Sequence, residues 1–445
     1  MEARERTIRP YLVHKILLAF LFFAIQDYAY SQIATPADSS RPDKLPEQGK
    51  QTVHKADNLD KQFDISDLLN DILHPKKKTD SLRKRSGITV VPNIAANPTI
   101  GFQIGIKAVA GKVLGREPNT YMSIAATSAS ITTKGIIYFY ISHNVFTPGN
   151  RWNFQGSLVA AKSVTPDFGL GMGHASGGSP ADSILANPGR KAYVWNSQYY
   201  KFFEKVYKEV GHNLFLGAGV AFDIRRKISN ARHDTSLTPY KIYNERFGFV
   251  EDHYLANGFL FNIQYNTRDN PNRAYKGIYV DAGLRANQTW IGSSKNALQL
   301  TFDFRKYFSL SERTPEHVIA FWSWGAGVLS GAVPYLELPG TSRDPSFRSG
   351  RGYVSSYYKG TQFFYSETEY RFPITRNKLF SGVAFVNIET SNDKASTKLL
   401  EIWKPAAGAG LRILFNKTTR TNLCLDYAFG AYGSKGFFLN LNETF

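Results

Sequence analysis

The sequence predicts an all-β protein, a transmembrane antiparallel β-barrel of about 16 strands behind a short disordered or helical N-terminal leader. Three observations carry that prediction. The N-terminus is of the export type and no second long apolar run follows it. From Ile88 to the end, apolar and polar residues alternate with period two, and the long connections all fall on one side of the strand count. The composition agrees: of 445 residues, 14% are aromatic, 36 are glycine and a single one, Cys424, is cysteine. Aromatic and glycine-rich chains suit strands and tight turns, and one thiol excludes an internal disulfide framework.

Arg4, Arg6, Arg9 and Lys15 precede the run ILLAFLFFAI (16–25), and small residues follow at Ala29 and Ser31. A basic region, a short apolar core and small residues before a cleavage point make a secretory signal, assigned here to 1–31 with cleavage before Gln32. A membrane-anchoring helix needs about 18 or more apolar residues, and this run is too short. The absence of a cysteine near the cleavage point argues against a lipid anchor. Residues 32–87 read as a periplasmic basic linker. Within it, NLDKQFDISDLLNDIL sets Phe63, Ile65, Leu68, Leu69 and Ile72 on one face of a short amphipathic helix. HPKKKTDSLRKRSG follows as a basic run, ordinarily a solvated linker and alternatively a segment resting on anionic headgroups. An exported chain seldom meets nucleic acid, so the net charge of +18 is not read as a nucleic-acid site.

The barrel is assigned to 88–445. NLFLGAGVAFDIR sets Leu214, Leu216, Ala218, Val220, Phe222 and Ile224 against Phe215, Gly217, Gly219, Ala221 and Asp223. LQLTFDFRKY sets Leu298, Leu300, Phe302 and Phe304 against Gln299, Thr301, Asp303 and Arg305. A soluble sandwich also alternates, with its apolar face inward. Here the polar parity holds acids and arginines beside glycines, which suits a wet interior and a lipid-facing exterior. Strands are predicted near 88–97, 99–113, 118–131, 133–146, 149–163, 188–204, 211–225, 252–267, 275–290, 295–309, 315–330, 360–373, 379–390, 404–415, 420–431 and 435–445. The connections 164–187, 226–251, 331–359 and 391–403 follow odd-numbered strands, whereas TPGN, SERT, TRNK and NKTT follow even ones. Long loops on one rim and tight turns on the other are the asymmetry of outer-membrane barrels, with the short rim periplasmic. The last segment, FFLNLNETF, puts Phe437, Leu439, Leu441 and Phe445 on one parity, a barrel-closing signal that Glu443 interrupts. Pro92 and Pro98 remove ladder donors where the first strand would meet the last.

Within the third long connection, RSGRGYVSSYYKG (348–360) sets Arg351 between two glycines. Such a guanidinium is either solvated on a surface loop or directed at a buried acid. The surrounding motifs form an ordered series: NTRDNPNRAYKG (266–277), GRGY (350–353), ETEYRFPI (367–374), GVAFVNIE (382–389), then GAGLRI and LCLDYAFG. That series, over roughly 254–445, resembles the barrel of the BamA/TamA superfamily, the bacterial surface antigen family of outer-membrane assembly factors and two-partner secretion transporters. The resemblance implies that the sixth extracellular loop folds back into the lumen. Gly350, Arg351, Gly352 and Tyr353 then form a loop latch whose inner-wall partners are Glu369, Asn387 and Glu367, with Glu369 the expected partner of Arg351. A guanidinium–carboxylate pair has the directionality such a contact needs. Asn387 stands where the family usually has aspartate.

The family's assembly factors and transporters also carry periplasmic POTRA modules, for which 32–87 is too short. The resemblance implies insertion or translocation of polypeptide or lipid, contact with outer-membrane lipid and lipopolysaccharide, and a periplasmic partner protein replacing the POTRA arm. A structural or passive-pore barrel and an outer-membrane lipid hydrolase stay open as alternatives. No catalytic residue, cofactor or metal site is read from the chain. His174, His212, His233 and His253 stand singly, and GLGMGHASGGSP contains no Gly-x-Ser-x-Gly elbow.

Overall fold

Successive side chains of a strand point to opposite faces, so a chain that alternates over many strands must find two different surroundings for them. In the computed structural model, which describes residues 62–65, 67, 88–117, 120–173, 179–231, 236–393, 397–417 and 420–445, it finds them by closing an antiparallel barrel of 16 strands. The first strand, β1, is broken into Ile88–Pro92 and Ala95–Asn97, both halves pairing with β2 (Gly101–Val113). Then follow β3 (Met122–Thr132), β4 (Ile137–Phe146), β5 (Trp152–Asp167), β6 (Tyr193–Gly211), β7 (Leu214–Asn230) and β8 (Tyr254–Asn266). The second half comprises β9 (Gly277–Asn287), β10 (Ala297–Ser309), β11 (Val318–Gly331) and β12 (Gln362–Pro373). It ends with β13 (Phe380–Ser391), β14 (Lys404–Asn416), β15 (Thr421–Gly430) and β16 (Lys435–Leu441). Each strand pairs with the next, and β16 returns to β1.

The two faces sort as the alternation requires. Ile104, Phe139, Phe261, Leu300 and Val386 are exposed on the outer wall. Asn153, Asp223, Glu367 and Arg412 are buried on the inner one. Among the described residues, no helix is long and apolar enough to cross a membrane; the strands do the crossing.

The long connections follow β5, β7, β11 and β13, all odd-numbered, and two of them carry helices. Helix α1 (Pro180–Ala186) starts at Ser179, whose hydroxyl accepts from Asp182 N while the Asp182 carboxylate accepts from Ser179 N. Helix α2 (Pro239–Phe247) is capped by Thr238 and ends at Gly248 in the left-handed region. Arg246 at the end of α2 holds Asp182 of α1 at 2.7 Å. Leu185, Trp195, Tyr240, Tyr243, Tyr335 and Leu336 bury one another beneath these helices, forming an apolar cap on the long-loop side.

The predicted signal peptide and basic run lie outside the described residues, as does most of the amphipathic segment. The part of it that is described, 62–65 and 67, sits on the short-turn rim. Phe63 N donates to Asn377 O at 3.0 Å, Lys417 N donates to Asp64 at 3.0 Å, and the Lys417 ammonium pairs with Asp67 at 2.8 Å.

The closing-signal expectation needs a correction. Phe437 is exposed and Leu439 and Leu441 follow it on the same face, but β16 ends at Leu441. Asn442 takes a left-handed φ of 71° and the chain turns inward. Phe445 is buried against the inward rings of Tyr307 and Trp322, with ring centres 6.1 and 5.3 Å away. Glu443, which breaks the apolar parity, is drawn in by Arg412 at 2.7 Å. An outward parity cannot continue through a residue held by an inner-wall arginine.

Candidate functional site

The 30-residue connection 332–361 between β11 and β12 has too many polar groups to lie in an apolar interior, yet much of it is buried. It can be buried because the wall supplies partners. Gly350 and Gly352 carry φ values of 77° and 111°, a region side chains avoid. A methyl group at Gly352 would also come within 2.8 Å of the Ala406 Cβ on β14. The glycines therefore let the backbone lie against the wall and aim Arg351 across the lumen.

Arg351 is 3% exposed and meets three carboxylates. Its Nη2 and Nε donate to the two oxygens of Glu367 at 2.6 and 3.3 Å. Nη2 also donates to Glu369, and Nη1 donates to Asp426 on β15 at 2.7 Å. The guanidinium lies over the Phe385 ring, 3.5 Å from its centre. Burial alone would lower the arginine's pKa, but Glu367, Glu369 and Asp426 outweigh it and hold the pKa well above the ordinary value.

Each expected residue has a definite place. Glu367 makes the two-point contact with Arg351, while Glu369 is shared with Arg371, which approaches at 2.7 Å. Asn387 donates from Nδ2 to the Arg351 carbonyl at 3.0 Å and to Glu367 at 3.4 Å. Tyr353 is buried on the β14–β15 wall; its hydroxyl donates to Pro405 O at 2.6 Å and accepts from Ala431 N at 2.8 Å. Phe437, Leu439 and Leu441 take no part, standing on the opposite face of the wall.

Sequence reasoning missed several members. Asp426 bridges Arg351 to Arg412, so a third acid stands near the guanidinium although Asn387 is neutral. Glu443 joins Arg412 to Arg273 of the NTRDNPNRAYKG turn at 3.5 Å. Arg348 donates to the carbonyls of Leu441, Asn442 and Glu443 at 2.9, 3.1 and 3.3 Å, binding the loop to the end of β16. Nearer the long-loop rim, Lys359 pairs with Asp167 at 2.8 Å, beneath the Tyr335 ring. Burial lowers its pKa to about 8, an effect that Asp167 only partly offsets. The parity of LCLDYAFG did place Asp426 inward; without the register nothing singled it out.

A family model for the Omp85 superfamily domain matches residues 119–445, the part of the chain that contains this site. The chain belongs to the Omp85 superfamily. Membership places it among outer-membrane β-barrels. Among solved structures, BamA from Haemophilus ducreyi lacking POTRA domains 1–3 is 13% identical with a TM-score of 0.52, over 80% of this chain and 70% of that one. CdiB from Acinetobacter baumannii (12% identical, TM-score 0.45) aligns over 80% of this chain and 60% of its own. CdiB from Escherichia coli (10% identical, TM-score 0.49) aligns over 79% and 62%. At such identities the likeness is one of fold. No curated protein matches the chain in sequence. Among the described residues there is no module of the POTRA kind beside the Omp85 barrel.

Proposed function

We propose that this Omp85 barrel inserts or translocates polypeptide at the outer membrane by opening laterally between β1 and β16, with the loop 332–361 acting as an internal latch. One observation carries the reading: β16 pairs with β1 at a single position, Leu439 opposite Ala96. Pro92 ends the first half of β1 and Pro98 follows the second, so neither offers an N–H there. Separating such an edge sacrifices few hydrogen bonds, each worth about 1 kcal/mol net. The latch keeps the rest of the wall aligned while the edge is free. A periplasmic partner would deliver substrate to the short-turn rim, and the barrel itself does no covalent chemistry. The apolar cap at the long-loop mouth weighs against a passive pore, which would need an open lumen.

A disulfide across the edge tests the reading. Ala96→Cys with Leu439→Cys, in a Cys424→Ser background, is expected to halt delivery of other outer-membrane barrels when oxidised and to restore it on reduction. Quantitative proteomics of outer membranes reads the outcome. Unchanged levels of those barrels with the edge locked would leave the proposal without support.

A further inference from the structure

The outward face of β5, β6 and β7 carries a polar row above its apolar belt. Lys162 on β5 is the register partner of Gln198 on β6, and Gln198 is the partner of Arg226 on β7. Neighbouring strands lie about 4.8 Å apart, so the two cations stand roughly 10 Å apart across the glutamine. Their direction follows from parity. Ile137 is opposite Lys162, and Phe139 and Tyr200 are both opposite Ala160 one step lower; all three are exposed on the outer wall.

A register break between Asn196 and Gln198 adds a third cation. Lys227 takes a left-handed φ of 52°, and Arg226 and Lys227 are both exposed while Arg225 and Ile228 on either side are buried. A regular strand turns one of two neighbours inward, and the bulge keeps both outside. None of these three cations is paired with an acid among the described residues.

Depth gives the row its meaning. Trp152 begins β5 with the Lys208 ammonium 5.5 Å from its ring centre, an aromatic and a cation marking the short-turn boundary. Lys162 lies ten residues further along the same strand (162 − 152). At about 3.3 Å per residue and a tilt near 40°, that is roughly 25 Å along the membrane normal, the height of a barrel's apolar band. The row thus stands level with the headgroups of the outer leaflet. The wall is hollowed beside and below it: Ile104, Ile131 and Ile137 continue the row of Lys162, and with small Ala129 and Ala160 and with Phe139 one step lower they leave a groove of about 800 Å³ that Lys162, Gln198 and Lys227 border.

We propose that Lys162, Arg226 and Lys227 bind the phosphate of an anionic lipid of the outer leaflet, one of whose acyl chains lies in the groove. Arg226 offers the planar fork that suits phosphate, the lysines add point charge, and Gln198 between them supplies an amide donor. The proposal rests on the outer-membrane placement of the barrel.

The test uses the full chain in phosphatidylethanolamine nanodiscs doped with diphosphoryl lipid A or with its dephosphorylated form. Native mass spectrometry counts the lipid retained after release into detergent. Wild type is expected to retain the diphosphoryl lipid and not the dephosphorylated one. The triple variant Lys162→Gln/Arg226→Gln/Lys227→Gln is expected to bind roughly a hundredfold more weakly. Lys208→Gln, at the other boundary, is expected to match wild type, and heat-dependent gel mobility reports folding. Should the triple variant not fold, Arg226→Gln alone decides, with an expected loss of about fivefold. Equal retention by wild type and the folded variant, or of the two lipids by wild type, overturns the site while the placement stands. A wild-type chain that does not enter the discs overturns the placement and the site together.

Discussion

Two stretches of one wall are held in opposite ways. At the closing edge, β1 and β16 share the single pair Ala96 and Leu439. Between β12 and β13 the ladder runs unbroken from Phe363 and Ser391 to Pro373 and Ser381, and the inner surface there adds Glu367, Glu369 and Asn387 around Arg351. The contrast shows where rigidity resides. It lies in the loop that crosses the lumen, which holds β12 and β15 through Arg351 and the end of β16 through Arg348. An edge with few hydrogen bonds can then be free without the rest of the barrel losing shape.

The sharpest way to break that contrast, after locking the edge, is to remove the guanidinium. Arg351→Ala leaves three inner-wall carboxylates without their shared cation, and loss of one partner of a buried ionic contact costs about 3–5 kcal/mol. The expected result is a lower unfolding midpoint in urea, with β12 and β15 the first segments to exchange amide hydrogens. Arg351→Lys is expected to recover only part, because an ammonium cannot make the two-point contact with Glu367. An unchanged midpoint for the alanine variant would place the rigidity elsewhere.

Asn387→Asp makes a smaller and less obvious change. It restores the residue usual in the resembling family, yet Asn387 donates to the Arg351 carbonyl and to Glu367, and a carboxylate can donate to neither. A loss of about 1–3 kcal/mol is expected, since an unmet acceptor and a crowded acid replace two hydrogen bonds. Here Asp426 already provides the third negative charge, and a gain in midpoint would show that it does not.

A separate effect is one of pH, at Lys359. Its pKa falls from 10.5 to about 8 on folding, so between those values the unfolded chain binds the proton more tightly. Stability from this group therefore rises as pH goes from about 8 to 10.5 and is flat below. Intrinsic tryptophan fluorescence during thermal unfolding in detergent should show that rise in wild type and lose it in Lys359→Met. Identical pH profiles would remove Lys359 from the account.

Much of the fold was legible because two solvents impose two parities. The strand number and the odd placement of long loops follow from alternation and turn chemistry alone. The strand ends were not legible where the strands outrun the membrane. β5 continues to Asp167 and β7 to Asn230, past the predicted ends at 163 and 225, because lipid no longer imposes the pattern there. Arg351 and its two acids on β12, Glu367 and Glu369, were readable from an ordered set of motifs. Asp426, Arg412 and Glu443 were not: their meeting depends on the register of β14 to β16 and on the turn at Asn442. A lone acid in an apolar parity looks like a defect until the chain is seen to fold inward.

Cys424 gains a use from that inward turn. Its sulfur lies 3.1 Å from the Asn442 carbonyl and is buried beneath the returning tail. A maleimide dye would meet no thiol while residues 442–445 are seated and one thiol once they leave. The native sequence thus carries its own reporter for movement at the end of β16, with no engineered label.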